Sequence, residues 1–267
     1  MSSLRAALIL FLASVLPAAA QQQFNLSAQS MAATDVATPT FYVGTQSGLF
    51  AAQNTFDDFR PVYITAAGSD QPDANQVFVE GTDHIYVRSE SPEHAIWTSS
   101  DAGQTWTKST NGLPAGTPII ELFLLPGNPA RLLAYLRDGA SGWIYSSADR
   151  SQSWTLQSTL PAGPDDFGVN LNTPDIMFVS TGRLIHRSIN GGQDWASISS
   201  APFVVDQLNG ITFLVPTPGN PMNVLLGGGG NATSQDGIFL STDQGGSWTK
   251  VYSTVTSIVI RCSDICV

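Results

Sequence analysis

Charge is scarce in this chain. Asp, Glu, Lys and Arg make up only 12% of the 267 residues, with 11 Lys and Arg against 21 Asp and Glu. Nucleic acid and anionic lipid are held mainly by Lys and Arg, so neither is an expected partner. Histidine is scarcer still. His84, His94 and His186 are scattered without metal-ligand spacing, and neither a metal nor a cofactor is expected. Cysteine occurs twice, as Cys262 and Cys266. Two thiols with no third Cys or His beside them do not make a zinc site; in an exported chain they are expected to close a short local disulfide that tethers the chain end. Long apolar runs are also missing: residues 6–16 form the longest, well short of the ~20 needed to span a bilayer.

That short run has a meaning of its own. A single Arg5 precedes it, and Pro17 with Ala18, Ala19 and Ala20 follows it, which is the build of a signal peptide with a small-residue cleavage site. Residues 1–20 are expected to be removed, residues 21–39 to form an N-terminal extension, and the product to be secreted or extracytoplasmic. What the chain does contain in quantity is Gly (24) and Pro (16) among many Ser and Thr, a composition suited to short strands and tight turns.

Laid on itself, the chain repeats. Residues 96–106, 144–154, 185–195 and 238–248 align without gaps, each an apolar stretch, a Ser, an Asp or Asn two residues later, and a terminal Trp. Residues 48–59 form a fifth, degenerate copy with Asn54 at the Asp position and Phe59 at the Trp position. The positions 54, 101, 149, 190 and 243 recur at intervals of 47, 48, 41 and 53 residues. Other pieces keep the same period: Leu113-Pro114-Ala115-Gly116 returns as Leu160-Pro161-Ala162-Gly163, and Pro126-Gly127-Asn128-Pro129 as Pro218-Gly219-Asn220-Pro221.

The repeated segment resembles the Asp-box, or BNR repeat, S-x-D-x-G-x-[ST]-W. The match is complete at Ser99, Asp101, Gly103, Thr105 and Trp106, and again at Ser241, Asp243, Gly245, Ser247 and Trp248; Ser151 replaces Gly in one copy, and Asn190 and Asp194 replace Asp and Thr in another. The resemblance implies an all-β fold, a β-propeller of about five four-stranded blades over residues 40–267, similar to the propellers of sialidases, xyloglucan-active glycosidases, sortilin and photosystem II assembly factors. It also implies that Asn54, Asp101, Asp149, Asn190 and Asp243 cap hairpin turns, that Trp106, Trp154, Trp195 and Trp248 pack between blades, and that these residues serve the scaffold rather than catalysis.

Alternation and turn signals place strands at residues 76–79, 84–88, 96–99 and 106–109, and at 119–124, 131–136, 143–147 and 154–158. Two further sets follow at 167–171, 176–180, 184–188 and 195–199, and at 211–215, 223–226, 238–241 and 248–253. The first blade starts at Thr40 with what corresponds to a second strand. Residues 255–261 form a spare strand after the last box, and the expectation is that this C-terminal strand supplies the missing inner strand and closes the ring.

Function is less defined than fold. Glu80, Glu121, Asp165, Asp166 and Asp175 are candidate carboxylates for glycoside hydrolysis, which needs two carboxylates flanking a bound sugar. No arginine triad of a sialidase stands out; Arg60 follows a box where the corresponding signature precedes one. Gly227 to Gly230 lead into another strand and read as a blade loop, not a phosphate cradle. The primary expectation is a non-catalytic, monomeric binding propeller that recognises a glycan or protein segment through its loops. A glycosidase, sialidase-like or xyloglucanase-like, is the alternative. Asn25 and Asn231 stand in glycosylation sequons whose use depends on a eukaryotic secretory route.

Overall fold

Short stretches of alternating or doubly apolar residues, each bounded by Gly, Asp, Asn or Ser, give a chain made of strands. The computed structural model describes residues 28–53, 58–67, 70–127, 129–182, 184–200, 211–217, 223–228 and 237–252. Five four-stranded antiparallel sheets, each a meander in chain order, account for the strands among them. The first contains β1 (Ala28–Ala33), β2 (Thr40–Thr45), β3 (Gly48–Gln53) and β4 (Arg60–Val62), and the second β5 (Gln76–Glu80), β6 (His84–Ser89), β7 (Ala95–Ser99) and β8 (Thr107–Ser109). The third comprises β9 (Ile119–Leu125), β10 (Arg131–Asp138), β11 (Ser141–Ser147) and β12 (Thr155–Thr159). The fourth holds β13 (Asp166–Val169), β14 (Met177–Thr181), β15 (Leu184–Ser188) and β16 (Ala196–Ser200). The last is β17 (Ile211–Pro216), β18 (Val224–Gly228), β19 (Gly237–Ser241) and β20 (Thr249–Tyr252). One turn of 3₁₀ helix, Thr65–Ala67, interrupts the pattern.

Within each sheet burial follows strand position. β6 and β14 are buried along nearly their whole length, whereas the fourth strands β8 and β20 are largely exposed. A strand covered on both faces is apolar throughout, as Ile85-Tyr86-Val87 and Met177-Phe178-Val179 are, while an outer strand can afford Thr and Lys.

The chain divides into two compact units. One comprises Met1–Leu124, Asn128–Ala134 and Ser147–Thr155, the other Leu125–Gly127, Tyr135–Ser146 and Leu156–Val267. The first is organised around Tyr42, Leu49, Ile64, Val77, Ile85, Val87, Trp97 and Trp106; the second contains a cluster of Phe178, Ile185, Leu214, Val224, Leu226 and Phe239. Each such side chain, fully buried, contributes about 1.5–3 kcal/mol.

One expectation is corrected. The inner-strand place in the first sheet is taken by β1, which pairs antiparallel with β2 through Ala33 opposite Phe41, Ala32 opposite Tyr42, Met31 opposite Val43 and Ser30 opposite Gly44. The stretch expected to be an extension therefore holds a strand. Its sequence, AQSMAA, hid this: small and polar residues carry no alternation, and only the open backbone edge of β2 calls for a partner. Residues 255–261, expected to fill that place, lie outside the described residues, as do Asn25, Asn54, Asn231, Cys262 and Cys266.

Candidate functional site

Each sheet has two ends. The turns joining its first to second and third to fourth strands lie at one end; the turn joining second to third strands and the connection to the next sheet lie at the other, the loop end.

The repeated Ser-x-Asp segments form the third-to-fourth turns, and their geometry repeats residue for residue. The Ser99 hydroxyl donates to Asp101 Oδ1 (2.8 Å) and accepts from the Gly103 N–H (2.9 Å), while Asp101 accepts the Thr105 N–H (2.8 Å) and the Thr105 hydroxyl. Asp149 holds Ser147 (2.7 Å), the Ser153 N–H (3.0 Å) and the Ser153 hydroxyl, and Asp243 holds Ser241 (2.8 Å), the Ser247 N–H (2.8 Å) and the Ser247 hydroxyl (2.7 Å). Bonds from the Thr105 and Ser247 hydroxyls and N–H groups favour the ionised carboxylates and hold Asp101 and Asp243 down to about 2. Asp149 is also lowered: burial pushes it up, but the Ser153 and Ser147 bonds outweigh that.

Two consecutive left-handed residues make each turn. They are Ala102 and Gly103 (φ +57°, +88°), Arg150 and Ser151 (+58°, +63°), Gly191 and Gly192 (+68°, +86°), and Gln244 and Gly245 (+58°, +86°). At 190 the donor–acceptor logic is inverted. The Asn190 amide donates to Asp194 Oδ2 (2.9 Å) where the other turns have a hydroxyl donating to a carboxylate, so the two departures from the repeat compensate each other.

The Trp residues lie beside these turns. Trp154 Nε1 donates to Ser109 Oγ (2.7 Å), and the Ser109 hydroxyl donates to the Ser151 carbonyl; Trp195 Nε1 donates to Ser158 Oγ (3.1 Å), which donates to the Gly192 carbonyl (2.6 Å). Trp106 has Val62 instead of a serine beneath its turn, and its indole bonds the Gly103 carbonyl of its own turn (3.0 Å). Trp248 packs against the Phe178 cluster.

The candidate carboxylates are held by the scaffold. Glu80, at the turn end of β5, accepts from Tyr86 Oη (2.7 Å), the Ala130 N–H (3.1 Å) and Arg150 Nη2 (3.1 Å). Burial raises its pKa, but the Arg150, Ala130 and Tyr86 bonds together bring it below the usual range. Asp166 accepts the Leu214 N–H (2.7 Å), and Asp165 accepts the Gly182 N–H (2.6 Å). Asp175 sits at the opposite end of the β13–β14 hairpin, where its carbonyl accepts the Gly191 N–H (3.0 Å). Glu121 is buried on β9. Asp165 and Asp166 thus share the loop end of the second unit, and Asp175 does not join them. Among the histidines, His84 contacts Asp83 (2.8 Å), His186 contacts Thr181 (2.8 Å) and is lowered by burial, and His94 is exposed.

A series of side chains on first strands each accepts a backbone N–H from the next first strand. Ser30 Oγ takes Val77 N–H (3.1 Å), Gln76 Oε1 takes Leu122 N–H (2.8 Å) and Asp166 takes Leu214 N–H. Opposite these three on the second strands stand Gly44, Arg88 and Ser180. Nothing in the sequence around Arg88 singles it out. The structure buries its side chain completely, with Nε on Gln76 Oε1 (2.8 Å) and Nη1 on the Ile119 carbonyl (3.0 Å) and on Glu90 Oε1 (2.8 Å). The signal was present only in the register: an arginine where β2, β14 and β18 carry Gly44, Ser180 and Gly227.

Five four-stranded antiparallel meanders, with first strands tied to one another within each unit, define a β-propeller. No protein-family profile matches the chain. A curated xyloglucanase from Paenibacillus sp. is 29% identical over 157 residues, covering 59% of this chain and 14% of the enzyme. Among solved structures, YCF48 bound to D1 peptide matches with a TM-score of 0.59 at 14% identity, covering 84% of this chain and 66% of that one. An ancestral GH74 enzyme matches at 0.57 and 14% identity, covering 79% and 29%. The chain therefore spans less than two thirds of each of these relatives, and the structural likeness is one of fold.

Proposed function

We propose that this is an exported propeller of the Asp-box type whose loop end binds a glycan or a protein segment without cleaving it. The observation that carries the reading is the use made of the acids. Glu80, Asp165 and Asp166 each accept a backbone N–H from another strand or turn, and Glu80 is further locked by Arg150 and Tyr86. A general acid for glycoside hydrolysis needs a raised pKa, and that of Glu80 is lowered. On this reading the Ser-x-Asp turns are scaffold at the opposite end, residues 1–20 direct export, and Cys262 and Cys266 form a terminal disulfide.

The similarity to a xyloglucanase over 157 residues favours a second reading, a glycosidase. Glycan and peptide arrays probed with the mature protein, together with a panel of chromogenic glycosides and xyloglucan, separate the two. Binding without turnover is expected. Turnover that disappears in Asp165→Asn or Glu121→Gln overturns the non-catalytic reading.

A further inference from the structure

Arg88 stands at a register position where three of the other sheets carry a small residue. The register positions paired with Ser30, Asp166 and Phe213 are Gly44, Ser180 and Gly227, and that paired with Gln76 is Arg88. The crowding at this level is visible at Gly44, where an added Cβ would come within 2.3 Å of the Ala74 carbonyl oxygen. A guanidinium placed there has to extend along the strands toward the loop end, and it does so. It reaches the Ile119 carbonyl at the start of β9, and Glu90 just beyond the end of β6. A cation removed from water costs several kcal/mol unless an anion accompanies it. Here Glu90 supplies that anion, yet the Glu90 side chain is itself 44% exposed while that of Arg88 is 0% exposed. Glu90 is thus the solvent-facing member of the pair.

The backbone beneath Glu90 is fixed. Asp73 Oδ1 accepts the N–H groups of Glu90 (2.7 Å) and Ser91 (3.1 Å), and the Asp73 N–H donates to the Ser91 carbonyl (2.9 Å). The Glu90 side chain, exposed on a backbone held in place, is the group a ligand carboxylate would have to displace to reach Arg88. A planar guanidinium matches carboxylate and phosphate geometry in a bidentate fork, and the group Arg88 already holds is a carboxylate.

We infer that Arg88 is a recognition residue for a ligand carboxylate, and that Glu90 is an internal stand-in which the ligand displaces. This rests on the reading that the loop end binds ligand, and names the chemistry it takes there. The carboxylate could belong to a uronate sugar or to a peptide, and two small probes distinguish them: galacturonate with galactose as its neutral control, and N-acetylalanine with its amide as control.

Binding is followed by NMR titration of wild type, Glu90→Gln and Arg88→Lys. Glu90→Gln removes the competing carboxylate, and it is expected to bind at least one probe acid about tenfold more tightly than wild type, with no gain for the neutral controls. Arg88→Lys is expected to lose that binding. Should Arg88→Lys fail to fold, the comparison of Glu90→Gln with wild type still decides. The inference is overturned if Glu90→Gln binds neither acid more tightly than wild type, or if a folded Arg88→Lys binds as wild type does. If the arrays reveal a glycan or peptide ligand whose affinity is the same in wild type and Glu90→Gln, the binding function stands and the role of Arg88 falls.

Discussion

At the scale of the residue, the turns are informative where they depart from their own pattern. Ser151 occupies a left-handed position that Gly fills in three sister turns, at φ +63°, and its buried hydroxyl has no hydrogen-bond partner among the described residues. Ser151→Gly removes the strain and the unsatisfied group together. A gain of about 1 kcal/mol is expected, read as a higher midpoint in urea at unchanged slope. Asn190 and Asp194 test the inverted pair. Asn190→Asp sets two carboxylates where the structure holds an amide 2.9 Å from Asp194 Oδ2, and a loss of about 1–2 kcal/mol is expected. Adding Asp194→Ser restores the arrangement at Asp243 and Ser247 and should recover most of the loss. A double-mutant cycle with no coupling would refute the compensation.

At the scale of the element, the strand with the weakest sequence signature closes the first sheet. β1 covers the edge of β2, and its Ser30 takes the Val77 N–H of the second sheet. Deleting residues 28–33 uncovers the β2 edge and removes that bond. The shortened protein is expected to aggregate at concentrations where the intact one stays monodisperse, as light scattering would show. Strands with strong alternation were legible from sequence almost to the residue: 184–188 was expected and Leu184–Ser188 is found, 76–79 expected and Gln76–Glu80 found. β1 was not legible, because an Ala- and Ser-rich segment becomes a strand through the edge it pairs with and not through its own side chains.

At the scale of the whole molecule, the lowered carboxylates govern acid stability. Asp101 and Asp243 are held down to about 2 in the folded protein, below the ordinary aspartate value of 3.8, and Asp149 and Glu80 are also lowered. A depressed folded pKa contributes stability that is present above the unfolded value and lost as pH falls through the folded one. The denaturation midpoint is therefore expected to hold down to about pH 5 and to fall between about pH 4 and pH 2. Replacing Asp101 and Asp243 together by Asn should flatten that fall, and a pH profile unchanged by the double substitution would show that the turns do not control it.

The repeat spacing, the turn residues and the apolar strands between them determined by themselves that this chain is all-β and built of repeated units, because each is a local property that one unit expresses without its neighbours; the propeller came with the resemblance to the Asp-box. The resemblance to the Asp-box, carried by the placement of Ser, Asp and Gly, likewise implied that the Ser-x-Asp turns are framework. Tertiary structure alone decided which strand completes the first blade, and that Glu80, Asp165 and Asp166 hold backbone N–H groups of other strands or turns. It also decided that Arg88 lies buried behind Glu90. Those are matters of register between strands some ten to fifty residues apart, and a side chain's partner across such a separation is set by how sheets stack, which no local pattern encodes.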